Sequence, residues 1–150
     1  MPSSSRSRAT HARVLIDPAL RASLVHLPAS LCSTLIARNV VPQTLIVELG
    51  MEAQTYYGGW TGMSPNASVL SDPNASDCVV ASPALASLFS PGLSDGTLLS
   101  IRLFRSPPVP IAQEVHVTPV SPDDWEILSV HAGEVEDNML SHVRAAKQGQ

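Results

Sequence analysis

Cys78-Val79-Val80-Ala81-Ser82-Pro83 opens the stretch that decides the fold. A short apolar run meets a proline, and Leu85, Leu88 and Phe89 then recur at helical spacing. Gly92 to Gly96 makes a turn, after which Thr97-Leu98-Leu99-Ser100-Ile101-Arg102-Leu103 predicts a second strand. Proline suits the start of a helix, where its missing N–H leaves no bond unmade. The same order occurs earlier in the chain. Ser23 to Leu27 predicts a strand and Pro28 stops it. Leu31, Leu35 and Ile36 give helical spacing up to Arg38, a turn spans Asn39 to Pro42, and Thr44 to Leu49 predicts a strand. Pro28 and Pro83 lie 55 positions apart. Two copies of one unit suit a small closed barrel built from interleaved halves, a form that leaves no sheet edge exposed.

Around this repeat the reading is simpler. Val14-Leu15-Ile16 predicts a first strand, preceded by a disordered tail over residues 1–13 that is rich in Ser and Arg. Thr55 to Trp60 predicts another strand, with Gly58-Gly59 marking a bulge or a close backbone approach. Met63 to Asp77 is a loop rich in Ser, Pro, Asn and Asp. Pro107, Pro108 and Pro110 mark a linker, and Glu114 to Val120 alternates polar and apolar residues as a half-buried strand does. At Ser121-Pro122-Asp123-Asp124 a helix starts, with a capping serine, a proline in the first position and two carboxylates at the positive end of the dipole. Trp125, Leu128 and His131 or Ala132 share one face, expected in the core, with a partner-facing anchor as the alternative reading. Val135, Met139, Leu140 and Val143 continue a second helical stretch after Gly133, and Lys147 to Gln150 is polar.

Composition narrows the function. The chain has 150 residues, 13 prolines, 8 glycines and a net charge of −4. Its basic residues are scattered apart from Arg6, Arg8 and Arg13, which argues against a nucleic-acid partner. Cys32 and Cys78 each sit in an apolar stretch and read as small buried hydrophobes in a reducing compartment. The sequons at Asn66 and Asn74 matter only in a secreted chain, and no signal peptide precedes them. No run approaches the ~20 apolar residues of a spanning helix, so the expectation is a cytoplasmic chain without a transmembrane segment.

Chemistry-bearing motifs are weak. Gly92-Leu93-Ser94-Asp95-Gly96 fits the G-x-S-x-G elbow, but that elbow follows a strand and opens a helix, and here the order is reversed. No phosphate-binding loop occurs, and no G-x-G-x-x-G. The five histidines (His11, His26, His116, His131 and His142) lack metal-ligand spacing. Asp123, Asp124 and Glu126 resemble a paired-carboxylate site, yet helix-start electrostatics accounts for the aspartates. The expectation is therefore no catalytic, cofactor-binding or metal residue. The alternatives are a small barrel hydrolase using Ser94 and a motorless binding module.

The run Val117-Thr118-Pro119-Val120-Ser121-Pro122-Asp123-Asp124-Trp125-Glu126-Ile127-Leu128-Ser129-Val130-His131 resembles the peroxisome-biogenesis AAA+ ATPase family known as peroxin one. That family has a similar Asp-Asp-Trp-Glu-Ile run followed by Leu-His-Ala, matched here by Asp123 to Leu128 and His131-Ala132. Val25-His26-Leu27-Pro28 and Tyr57 through Met63 are similar to fungal members. The resemblance implies a mixed α+β fold: a double-psi β-barrel lobe over residues 14–106 and the beginning of a small α/β second lobe over residues 107–150, truncated. The plan is shared with the N-domains of valosin-containing protein and the N-ethylmaleimide-sensitive factor. The family's complete chain carries two ATPase modules that use ATP and Mg, and it forms a hetero-hexamer with a second peroxisomal AAA+ ATPase. It extracts the ubiquitinated import receptor at the cytosolic face of the peroxisomal membrane. Membrane anchor proteins or ubiquitin-type adaptors are the implied partners of the N-domain, with the groove near Val120 to Asp124 as the docking place by analogy. An unfinished second lobe leaves the apolar helix positions Val135, Met139 and Val143 uncovered. The isolated chain is accordingly expected to associate with rising concentration in sedimentation velocity, and a monodisperse monomer throughout would contradict this.

Overall fold

Alternation along the strands determines which side chains meet inside. The computed structural model describes residues 8–66, 73–105, 110–147 and 150. Six strands run in chain order: β1 (Thr10–Ile16), β2 (Leu24–Val25), β3 (Ile46–Met51), β4 (Gln54–Trp60), β5 (Val79–Ala81) and β6 (Leu98–Phe104). Ala12 and Val14 on β1, Val47 and Leu49 on β3, and Leu99 and Ile101 on β6 are buried, while the intervening residues face outward. Helix α1 (Ala29–Ala37) follows Pro28, and the short α2 (Pro83–Ala86) follows Ser82. Ser82 is the single buried polar side chain among the described residues, and its Oγ caps α2 by accepting from the Leu85 N–H at 3.1 Å.

The strands form one sheet in the order β2-β4-β3-β6-β1-β5. Pairs β1–β5 and β2–β4 are parallel, and β1–β6, β3–β4 and β3–β6 are antiparallel. The two end strands then meet. His26 N–H donates to Val80 O at 3.1 Å and Val80 N–H donates to His26 O at 3.0 Å, so the sheet all but closes into a barrel. The ring also has an internal symmetry. Exchanging each of the first three strands with the strand three places later maps β1–β5 onto β2–β4, β1–β6 onto β3–β4, and β3–β6 onto itself, each with the same sense. The repeated unit legible in the sequence therefore forms two of the three strands of each half, with Pro28 and Pro83 in equivalent places.

Inside, Trp60 is buried and anchors the core, its Nε1–H donating to Met63 O at 3.0 Å. Tyr56 meets Phe89 edge-on with ring centroids 4.7 Å apart. Gly58 and Gly59 mark a close approach, as the sequence suggested. A Cβ on Gly58 would stand 2.5 Å from Ser23 O, and one on Gly59 would stand 2.7 Å from Leu24 Cδ2. On the outer face the register aligns Tyr57, Glu48 and Arg102 across three strands. Glu48 Oε1 lies 3.3 Å from Arg102 Nη1, and Tyr57 O–H donates to Glu48 Oε2 at 3.2 Å. Burial first, then the Glu48 charge, raises the Tyr57 phenol above its ordinary value and keeps it protonated.

Three expectations need correction. β1 starts at Thr10, four residues before Val14, because Thr10 to Arg13 pair with Leu98 to Ile101 and only alternate positions need be apolar. Residues 1–7 of the expected tail, residues 106–109 of the linker and part of the 63–77 loop lie outside the described residues. Glu114 to Val120 form no strand: they run irregularly and are exposed except at Pro119. Alternation makes a strand only where the segment meets a sheet edge, and Glu114 to Val120 pair with no strand of the ring. Trp125 is not core either. It is 60% exposed, since helix α3 (Asp123–Val130) has no apolar layer over it among the described residues.

Two outcomes follow from the ring. Gly58→Ala pushes a methyl into Ser23 O and should cost about 1–3 kcal/mol in urea unfolding. His26 is half-buried, and its Nδ1 is hydrogen-bonded with Thr61 Oγ1 at 2.7 Å. Burial holds its pKa below the ordinary 6.5, with Asp17 acting weakly the other way. A histidine that resists protonation only when folded loses nothing above the unfolded value, and it destabilises the fold as pH falls below it. Unfolding midpoints should therefore drop between pH 7 and pH 5, and less steeply in His26→Gln.

Candidate interaction surface

The segment after the barrel carries the exposed apolar residues. Helix α3 begins at a reciprocal cap: Asp124 N–H donates to Ser121 Oγ at 3.3 Å, and Ser121 O–H donates to Asp124 Oδ2 at 2.8 Å. Asp123, Asp124 and Glu126 fill the first turn, where the dipole favours negative charge. A proline-rich bend thus ends in a well-formed helix start, which aims Trp125 back toward the bend. Pro119, Val120, Ser121, Pro122 and Trp125 line an open groove there. Val120, Ile127 and Val130 are also exposed, Val130 by 73%. Helix α4 (Ala132–His142) follows at once, with Val135 and Met139 half-buried. The arrangement offers contact area: an aromatic ring beside Val120, edged by carboxylates, while Ile127 and Val130 are exposed on the other side of α3.

The other sequence candidates fall elsewhere. Ser94 lies in the turn between α2 and β6, so the expected reversal of the elbow holds. Its Oγ is 3.4 Å from Thr97 Oγ1 and its carbonyl accepts the Thr97 N–H. The same turn ties to β1, with Asp95 Oδ1 accepting from Ile16 N–H at 2.7 Å and Gly96 N–H donating to Val14 O at 2.8 Å. The Gly-rich turn is a clamp between strands.

The histidines are spread over the molecule. His11 is exposed on β1 and His142 ends α4. His116 lies 3.1 Å from Glu114 and His131 lies 3.2 Å from Glu134, both pairs exposed. No three His, Cys, Asp or Glu side chains among the described residues gather around a common point that could hold a metal ion. Cys32 and Cys78 are buried and form no disulfide. Burial raises the Cys32 thiol, whose S–H points at Leu27 O at 3.2 Å.

One set of contacts escaped the sequence reading. The stretch after α4 returns to the barrel flank. Ser23 N–H donates to His142 O at 2.9 Å, and Arg144 Nη1 donates to Trp60 O at 2.6 Å and to Pro42 O at 3.3 Å. Gln150 then brackets Tyr57, its Nε2–H donating to Tyr57 O at 2.8 Å and its Oε1 accepting from Tyr57 N–H at 3.1 Å. A polar tail gives no periodic signal, so nothing in the sequence marked these residues.

The comparisons bear on the same segment. A family model described as Peroxisome biogenesis factor 1, N-terminal, matches residues 113–150, the stretch that holds α3, α4 and the returning tail. A protein named Peroxisomal ATPase PEX1 from Arthrobotrys oligospora is 30% identical over 85% of this chain. One of the same name from Dictyostelium discoideum is 26% identical over 84% of it. The chain spans 13% and 10% of the length of these two relatives. No helix among the described residues is long and apolar enough to cross a membrane. The matches together identify the chain as an N-terminal domain of the peroxisome biogenesis factor 1 family.

Proposed function

We infer that this domain docks partners for a peroxisomal AAA+ ATPase and performs no chemistry itself. The observation that carries this reading is the exposed Trp125 surface on α3, inside the segment that matches the family. A ring of that size at the surface, beside Val120 and the acidic first turn of the helix, is the composition of a recognition anchor. The barrel's exchange symmetry and its two parallel pairs support reading it as a double-psi barrel. ATP and Mg act in the ATPase modules of the parent protein, which assembles with a second peroxisomal AAA+ ATPase. The domain works at the cytosolic face of the peroxisomal membrane, where it brings the motor to a membrane anchor or a ubiquitin-type adaptor. The motor then extracts the ubiquitinated import receptor so that matrix-protein import continues.

Trp125→Ala separates docking from folding. Trp125 lies outside the buried core, so the substitution should change unfolding free energy by no more than about 0.5 kcal/mol. Immobilised on resin, the unsubstituted domain should retain the second peroxisomal ATPase or a membrane anchor protein from solubilised peroxisomal membranes. Trp125→Ala should retain at least about tenfold less, the loss of a single hot-spot side chain. Equal retention by the two proteins, or none by the unsubstituted domain, overturns the reading.

A further inference from the structure

Charge is distributed unevenly along this chain. Seven of its 13 carboxylates fall between Arg105 and Arg144, a span that has no lysine or arginine. The other six share the rest of the molecule with all nine basic residues, so only the segment after the barrel is strongly negative. All seven of its carboxylates are exposed. Among the described residues only imidazoles approach them as possible cations: His116 lies against Glu114, and His131 against Glu134. Arg144 and Lys147, the next basic residues along the chain, turn to the barrel instead, Arg144 to Trp60 O and Lys147 to the Tyr56 ring. No described lysine or arginine pairs with the first turn of α3.

That turn borders the groove lined by Pro119, Val120, Ser121, Pro122 and Trp125. Ser121 joins the two features. Its Oγ donates to Asp124 Oδ2 at 2.8 Å, which holds the carboxylate at the groove wall. Asp124 Oδ1 and the Glu126 carboxylate take no hydrogen bond from any described residue. On a helix, Asp124 and Glu126 stand about 100° to either side of Trp125. A group seated on the indole therefore has a carboxylate on each flank. An exposed indole attracts a cation above its ring. A guanidinium is flat and weakly hydrated, so it stacks there and still donates in its own plane to carboxylates, whereas an ammonium is compact and strongly hydrated. Pro119 and Val120 beside the ring give an aliphatic seat.

We propose that the Trp125 groove receives a cationic protein segment whose arginine stacks on the indole and reaches Asp124 and Glu126, with an aliphatic neighbour seated on Pro119 and Val120. The proposal rests on reading Trp125 as a docking anchor and adds the chemistry of what docks there. The groove and its exposed ring define the place, and the unpaired charge beside it selects the occupant. An anionic membrane has the wrong sign, because cytoplasmic leaflets are negative and the segment's carboxylates repel them. A second copy of this chain brings the same carboxylates to the contact and has the same fault.

The test uses the whole 150-residue chain and, as probe, a labelled peptide of alternating arginine and leucine. In fluorescence anisotropy the unsubstituted chain should bind it, and Trp125→Ala should bind at least about tenfold more weakly. Asp124→Asn/Glu126→Gln removes two charges at nearly constant size and should weaken binding about threefold to tenfold. Raising salt from about 0.05 M to about 0.5 M should narrow that difference. Lysine in place of arginine in the peptide should cost about threefold. If the double variant loses helix content by circular dichroism, Glu126→Gln alone keeps the Ser121–Asp124 cap and should still weaken binding. No binding by the unsubstituted chain, or equal binding by Trp125→Ala, by the charge variants or of the lysine peptide, overturns the proposal. So does Trp125-dependent binding to phosphatidylserine vesicles, or self-association that Trp125→Ala abolishes. Retention of peroxisomal partners that ignores Trp125 overturns the docking reading and this proposal together. Retention that needs Trp125 but ignores Asp124 and Glu126 overturns this proposal alone.

Discussion

The bridge between His26 and Val80 is the constraint on which the rest depends. A six-stranded sheet of such short strands would otherwise leave β2 and β5 as open edges, each with unpaired backbone groups. Two hydrogen bonds join those edges and turn a sheet into a ring. Once the ring closes, the inward residues of every strand face one another and no second layer is required to bury them. Strands of two and three residues could not be stable alone. They persist because each is held between neighbours and because Leu24, Val25, Val79, Val80 and Ala81 are all buried. The imidazole beside the bridge, half-buried against Thr61, makes closure sensitive to protonation in a way no surface histidine would.

Closure also explains which parts of the sequence could be read. Thr97 to Leu103 and Thr44 to Leu49 alternate because one of their faces is inside the ring, so period alone located β3 and β6 to within two residues. Pro28 and Pro83 punctuate equivalent strand ends, so the repeat was visible despite little identity between the halves. Gly58-Gly59 was legible as a bulge or a close approach, and the unbroken register with β3 leaves the close approach. Glu114 to Val120 failed for the complementary reason. Its alternation is as good as that of β3, but a strand is a relation between two segments and this one meets no strand of the ring.

Trp125 failed differently. Helical spacing identifies a face but not what covers it, and an apolar face reads as core until the neighbouring layer is known. The acidic start of α3 was assigned to the dipole, and the Ser121–Asp124 cap agrees with that assignment. The same residues border the groove beside Trp125, so one short stretch both starts a helix and edges an exposed surface. Local rules fix the first of these roles; the second depends on what meets the helix.

The returning tail shows the opposite limit. Arg144 and Gln150 belong to no apolar pattern, and each acts through backbone atoms of residues more than 80 positions away. Sequence spacing cannot report such contacts, because a carbonyl or an amide on the barrel flank has no residue identity to match. Their physical logic is nonetheless simple. β2 is too short to cover β4, so the flank must borrow donors and acceptors, and polar side chains can supply them without adding apolar surface to an edge. A clasp of this composition satisfies the flank's backbone groups without burying further apolar surface, whereas a clasp of leucines would have left them unpaired. The strands at the closure are thus buried, while the flank of β4 is covered by polar contacts.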